Sequence, residues 1–484
     1  MRVRYLTTTL PYVNSDPHIG FALEIIQADA LARSWRLAGD DVFFSTGTDE
    51  HGQKIYDAAQ EAGQDVQVYV DHYAAEFQKL GAALGLSNNA FIRTTDPKHI
   101  LAAQEMWRRC DATGDIYKKE YTGLYCVGCE SFKTEKELID GECPIHPNLA
   151  PEQISEENYF FRFSKYQEQL LAYLEQPNVI VPDWRRAEAV AFVKGGLEDF
   201  SISREKKRLS WGIPVPNDDA QIMYVWFDAL TDYISTLGWP EDAKGNFKKF
   251  WENGTTLQTA GKDQVRFQSL MWQAMLMSAG IKATDTVFYH GFITSGGQKM
   301  SKSLGNVISP YDLVKKYGTD ATRYVLLRHI HPMEDADVTR ERLDEWYTAN
   351  LANGLGNLVA RVMKLAEEHL PNPVATTKED EKISEEFSKK IEEFKFNEAM
   401  DIVFAKISAA DTYMNTNEPY KKIKTDADTA CRDIEHLVCE LASIAAHLAP
   451  AMPHTSDIIA KAVRENKKPV NLFPRLPAQA GLDK

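Results

Sequence analysis

The stretch Val3-Arg4-Tyr5-Leu6-Thr7-Thr8, then Asp16-Pro17-His18-Ile19-Gly20, then Val42-Phe43-Phe44-Ser45 decides the fold. Residues 3–8 have the β-branched and aromatic content of a strand. Pro11, Asn14 and Ser15 turn the chain, Asp16 reads as a helix N-cap and Pro17 as the first helical residue. Ile19, Leu23, Ile26 and Ala30 recur at helical spacing, and Gly39 stops the helix. Residues 42–45 read as the next strand. Strand, helix, strand in succession predicts a parallel sheet, whose ligands gather on loops at the carboxyl ends of the strands. The run Gly47-Thr48-Asp49-Glu50-His51-Gly52 falls on such a loop.

Outward from this stretch the chain changes character several times. Residues 1–116 form the first half of an α/β domain. Residues 117–221 are rich in turns and cysteine and read as an insertion. Strand–helix alternation returns over 222–291, a mixed linking region covers 292–343, and 344–484 has almost continuous helical periodicity, interrupted at Pro371-Asn372-Pro373. At 484 residues the chain needs more than one core, and its 44% hydrophobic and 26% charged content is that of a globular protein. No apolar run is long enough to cross a bilayer and no signal peptide is visible, so a cytoplasmic location without membrane partners is expected. A net charge of −15 argues against indiscriminate binding to DNA. Local basic runs (Arg204, Lys206, Lys207, Arg208; Lys421, Lys422, Lys424) leave a selective RNA partner open, although each run alone reads as solvated surface.

Cys126-Val127-Gly128-Cys129 is followed, after thirteen intervening residues, by Cys143-Pro144-Ile145-His146. Two such knuckles suit one tetrahedral zinc with four protein ligands, a closed and structural site. A redox pair would have no use for Cys143 and His146. Cys110, Cys431 and Cys439 read as small buried hydrophobes.

Lys299-Met300-Ser301-Lys302-Ser303, preceded by Gly296-Gly297, and Pro17-His18-Ile19-Gly20 complete the pattern. With Leu10-Pro11-Tyr12, the 47–52 run, Val225-Trp226-Phe227-Asp228-Ala229 and Gly261-Lys262-Asp263, the chain resembles the class I aminoacyl-tRNA synthetases, and within them the methionyl-tRNA synthetase family. The resemblance runs from Tyr5 to about Tyr420. It implies a Rossmann-like parallel-sheet catalytic domain split by a zinc-binding insertion and followed by an α-helical, anticodon-binding bundle. It also implies a ligase that uses Mg-ATP, methionine and tRNA(Met). His18, Lys299 and Lys302 would be catalytic, since cationic groups stabilise the charge that builds on departing pyrophosphate. Gly20, Asp263, His290, Gly291, Lys299 and Lys302 would bind ATP. Leu10, Tyr12, Asp49, Trp226, Tyr233 and Gln268 would bind methionine, with Asp49 on its ammonium. Asn357, Arg361 and Tyr420 would meet the anticodon, and Cys126, Cys129, Cys143 and His146 the zinc.

Three positions depart from the family pattern. Phe21 replaces the last histidine of the His-Ile-Gly-His motif, Gln268 stands where a histidine is usual, and Tyr420 replaces a stacking tryptophan. The first two predict slower activation or altered pocket contacts without loss of function. They leave a paralogue that adenylates another substrate open, and a zinc-stabilised RNA binder without catalysis is the rival from another class. The chain ends soon after the bundle, with no added C-terminal dimerising module, so a monomer is expected.

Overall fold

In the computed structural model the described residues are 1–128, 131–133, 135, 138–144, 150–300 and 306–476, with the backbone alone at Ser131, Phe132 and Lys299. They group into two compact units. The first comprises Met1–Pro17, Gly39–Lys79 and Asn88–His290; the second comprises His18–Ala38, Leu80–Ser87 and Gly291–Lys484.

The first unit is built on six strands among the described residues: β1 (Val3–Thr7), β2 (Asp41–Thr48), β3 (Ala90–Arg93), β4 (Ile180–Val181), β5 (Thr255–Gly261) and β6 (Thr286–His290). They pair in the order β3-β2-β1-β5-β6-β4, every neighbour parallel. Tyr5 faces Phe43 on one side and Thr256 on the other. Strand β2 extends past the expected residues 42–45 because its later residues ladder with β3, where Thr48 pairs with Arg93. The central strands are covered on both faces, so β1 and β5 are almost continuously buried and do not alternate. Tyr5 anchors the core: its ring meets Trp251 edge-on at 5.9 Å, and Trp251 meets Trp272 in the same way at 6.1 Å. Its hydroxyl, buried with the ring, donates to the Tyr233 carbonyl at 2.7 Å. Within residues 117–221 the long antiparallel pair Ile116–Cys126 and Glu152–Phe161 dominates.

The second unit contains α1 (Ile19–Leu37) and the helical C-terminal region, including α2 (Thr319–Arg328), α3 (Asn357–His369), α4 (Phe396–Asn417), α5 (Ala427–Leu448) and α6 (Pro453–Glu465). Helix α1 is buried around most of its circumference, including the polar Glu24, Gln27 and Asp29. Asp29 and Arg323, both with fully buried side chains, form an ion pair at 2.7 Å. Arg33 adds a second bond to the carboxylate at 2.7 Å, and the Ser87 amide and hydroxyl each donate to it at 2.6 Å. Arg323 spends its other donors on the carbonyls of Ala451, Leu84 and Pro450. Burial would raise the Asp29 carboxyl, but the guanidinium groups of Arg323 and Arg33 and the Ser87 bonds outweigh it and hold the group below its ordinary range. Cys110 is buried as expected, whereas Cys431 and Cys439 are only half-buried, at the margin of the buried stripe of α5.

Because removing one member of a buried pair strands the other charge, Asp29→Asn is expected to cost about 3–5 kcal/mol at neutral pH, measured by denaturant unfolding. The carboxylate's contribution is present above the unfolded-state range and lost as pH falls through the depressed folded value. The gap between the two proteins should therefore close in acid; a gap near zero at pH 7 contradicts the assignment.

Candidate active site

Strand order reverses between β1 and β5, so the loops leaving the carboxyl ends of these strands diverge and open a crevice. Leu10 and Tyr12 follow β1, Asp49 follows β2, Asp263 follows β5, and His290 ends β6. All of these lie in the first unit.

Asp49 is held from several directions. Its amide donates to the Pro11 carbonyl at 3.0 Å and its carbonyl accepts from the Val13 amide at 3.2 Å, which lays the β1 loop beside it. Its side chain is 2% exposed and accepts from the His51 amide at 3.3 Å. On one side Glu50 is gripped by Arg93 through two bonds, at 2.6 and 2.8 Å, and by the Thr48 hydroxyl at 2.7 Å. Trp211 donates its indole N–H to the Glu50 carbonyl at 2.6 Å.

On the other side His51 Nδ1 meets Asp228 Oδ2 at 2.7 Å, and His99 Nε2 meets Asp228 Oδ1 at 2.7 Å. Ser235 Oγ lies 2.9 Å from the second ring nitrogen of His99. Burial would raise the Asp228 carboxyl, but attraction to His51 and the bonds from both imidazoles hold it below its ordinary range. Asp232, four residues on, has the opposite fate: burial, with Asp228 adding to it, pushes its carboxyl well above the ordinary range. The two environments thus favour the ionised form at Asp228 and the neutral form at Asp232. This bridge fixes the segment carrying Trp226 to the loop carrying Asp49. His51 and Asp228 stand in sequence blocks already singled out, but their pairing across 177 positions is written in neither, and His99 carried no signal at all.

Aromatic residues wall the same pocket. The Tyr12 ring meets Trp226 edge-on at 6.3 Å, and Trp226 stacks on Phe267 at 3.8 Å with 12° between planes. Gln268, 1% exposed, donates through Nε2 to the Tyr233 hydroxyl at 3.1 Å. Among the described residues, Trp226 Nε1 and Gln268 Oε1 are buried without a hydrogen-bond partner. Tyr12 thus meets both Asp49 and Trp226, and Phe267, stacked on Trp226, is followed in the chain by Gln268, which bonds Tyr233; Leu10 lies two residues before Tyr12. Asp263 is exposed on the short helical turn after β5.

The second unit holds His18. The expected cap at Asp16 is corrected: α1 begins at Ile19 and His18 is its N-cap, Nδ1 accepting from the Gly20 amide at 3.1 Å. The fold-back is tight against Gly20, where a Cβ would sit 3.0 Å from the imidazole. With Nδ1 occupied as an acceptor, the ring proton resides on Nε2. The Ile19 amide donates to the Ile308 carbonyl at 3.3 Å, so the start of α1 touches the chain just beyond the lysine motif. Lys302 lies outside the described residues, and of Lys299 only the backbone is described. Gly291 is packed so tightly that a Cβ would fall 2.1 Å from the Glu334 carbonyl oxygen. Phe21 is 9% exposed on α1.

Asn357 opens α3, and Arg361, one turn on, bonds Asp411 Oδ1 and Asn415 Oδ1 on α4, each at 3.0 Å. Tyr420 is 39% exposed. Cys126 and Cys143 are fully buried, while Cys129 and His146 lie outside the described residues.

A family model described as tRNA synthetases class I (M) matches residues 4–150 and 147–363. The methionine–tRNA ligase of Thermosynechococcus vestitus is 42% identical over 94% of this chain and 88% of that protein. The methionine–tRNA ligase of Thermotoga maritima is 40% identical over 96% and 76%. This chain belongs to the methionyl class I tRNA synthetases. Its fold agrees: a solved structure of Mycobacterium tuberculosis methionyl-tRNA synthetase in complex with methionyl-adenylate superposes with a TM-score of 0.88 at 36% identity, covering 95% of this chain and 93% of that one.

The cap separates structure from chemistry at His18. His18→Asn keeps a capping side chain and should hold stability while amino-acid-dependent pyrophosphate exchange falls about a hundredfold. His18→Ala should show the same fall in rate and lose about 0.5–2 kcal/mol as well. Full activity in the Asn variant would leave His18 as a cap and nothing more.

Proposed function

We propose that this chain activates methionine with ATP and transfers it to tRNA(Met). The observation that carries the reading is the pinned carboxylate of Asp49 beside the Tyr12–Trp226 wall. A substrate ammonium pairs with the first, and an unbranched, polarizable thioether packs against the second. The Tyr233 hydroxyl, oriented by Gln268, closes the pocket floor.

In the first step a methionine carboxylate oxygen attacks the α-phosphorus of ATP. The bond from that phosphorus to the bridging oxygen breaks, and pyrophosphate leaves methionyl-adenylate behind. The rate gain comes from alignment and from charge stabilisation, with no covalent intermediate on the protein. His18 presents Nε2–H to a phosphate oxygen, with the amides of the α1 terminus adding favourable potential. Lys299 and Lys302 meet the departing pyrophosphate, and Asp263 holds the ribose hydroxyls. Gly20, His290 and Gly291 complete the proposed ATP contacts. Magnesium, travelling with ATP, offsets triphosphate charge. In the second step a terminal ribose hydroxyl of tRNA attacks the adenylate carbonyl and AMP leaves.

Asn357, Arg361 and Tyr420 are the proposed anticodon contacts. Arg361 would exchange its bonds to Asp411 and Asn415 for bonds to bases, and Tyr420 offers an exposed ring for stacking. Structural zinc is proposed on Cys126, Cys129, Cys143 and His146. Cys126 ends a strand, Cys143 follows the Asp140–Gly141 turn, and burial of both thiols suits a closed site. A cytoplasmic monomer remains the proposed state. Among the described residues, no helix is long and apolar enough to cross a membrane.

Two measurements check this reading. ATP–pyrophosphate exchange run with each amino acid in turn should proceed with methionine alone; exchange with another amino acid, or with none, contradicts it. The purified protein should carry one zinc per chain, lost in Cys143→Ser; a metal-free and fully stable wild type would remove zinc from the account.

A further inference from the structure

In the second unit the strand Ile293–Ser295 turns through Gly296 and Gly297 and returns as Gln298–Lys299, with Ser295 opposite Gln298 and Thr294 opposite Lys299. Both glycines have positive φ, 63° and 74°, as a tight two-residue hairpin turn requires. The hairpin is held along its other edge by Ala336–Asp337, which runs parallel to it. The Ala336 amide donates to the Phe292 carbonyl at 2.9 Å, and the Val338 amide donates to the Thr294 carbonyl at 3.0 Å.

Side chains of the same segment then reach across. Asp335 Oδ1 accepts from the Phe292 amide at 2.9 Å, at the base of the hairpin. Asp337 Oδ1 accepts from the Gly297 amide at 2.7 Å and from the Thr294 hydroxyl at 3.0 Å. The amides of a two-residue turn point away from the hairpin and have no partner within it. Here a carboxylate from a neighbouring segment takes one of them. The Gly297 bond, aided by Thr294 and by the nearby Arg342, holds the Asp337 carboxyl below its usual range. Asp337 is itself steadied, its carbonyl accepting from Arg342 Nη1 at 3.3 Å on a helix capped by Thr339.

We propose that Asp337 is a positioning residue for methionine activation: it clamps the Gly296–Gly297 turn and so sets the direction in which the hairpin delivers Lys299. This rests on the reading that Lys299 and Lys302 act on the triphosphate. Two consecutive glycines leave a turn with wide backbone freedom, and a lysine carried on it would sample directions that contribute nothing to phosphate charge. A charge-assisted bond on an exposed turn adds little to global stability, but it selects one direction for the strand that follows. The clamp acts through Lys299 and touches no substrate.

The test is ATP–pyrophosphate exchange by Asp337→Ala, Asp337→Asn and Lys302→Ala in the full chain, with KM for methionine and melting temperature measured alongside. Asp337→Ala should lower kcat about tenfold, with KM for methionine within about twofold and the melting temperature unchanged. Asp337→Asn should recover most of the rate, because its amide oxygen can accept the same two bonds. A wild-type kcat in Asp337→Ala overturns the proposal. So does a parallel loss of methionine affinity and melting temperature, which is the mark of a structural role. Lys302→Ala separates the two readings: if it is slow while Asp337→Ala is fast, the clamp alone fails, and if it runs at the wild-type rate the premise fails and the clamp with it.

Discussion

Asp49, the carboxylate proposed to pair with a substrate ammonium, is held in place by its surroundings before any substrate arrives. Buried charge flanks it on both sides, Glu50 on Arg93 and His51 on Asp228, while its own backbone is laddered to the β1 loop. Loops at the mouth of a parallel sheet are ordinarily among its more mobile parts. Here the neighbours of Asp49 are tied to β3, to the Trp226 segment and, through His99, to the Pro97–Ala112 helix. Reorganisation that would otherwise accompany binding has been completed during folding.

The same principle governs the second unit, with different parts. His18 is an N-cap, and capping decides which imidazole nitrogen keeps the proton. The helix it caps is anchored near its middle by Asp29 and Arg323, while its first amide bonds the Ile308 carbonyl. The imidazole is thus held beside the chain at Ile308 by a backbone bond at the start of α1, while the buried ion pair anchors the same helix near its middle. A charged pair excluded from water is an expensive way to hold two helices. Its use on this particular helix fits a need for placement over stability.

Much of this was legible in the residues. Strand, turn, helix, strand over the first fifty positions marks a parallel sheet, and the 47–52 run had to fall at its carboxyl edge. What escaped was one local cap and whatever depends on pairs distant in sequence. Asp16-Pro17 satisfies the local rule for a helix start, yet the cap moved two residues on, because a histidine ring folding onto a glycine amide is a contact that propensities do not weigh. The burial of Asp29 was hidden because its partner Arg323 lies on another helix and nothing local distinguishes it from a surface aspartate. Trp226 was readable as part of a block, whereas its stack on Phe267 and the Gln268–Tyr233 bond arise only when helical segments distant in sequence meet.

The most direct test of the account is a crystal structure of the full chain with methionyl-adenylate bound. The account predicts the ammonium within hydrogen-bond reach of Asp49 and the thioether against Tyr12, Trp226 and Tyr233. An ammonium paired elsewhere, out of reach of Asp49, would contradict it.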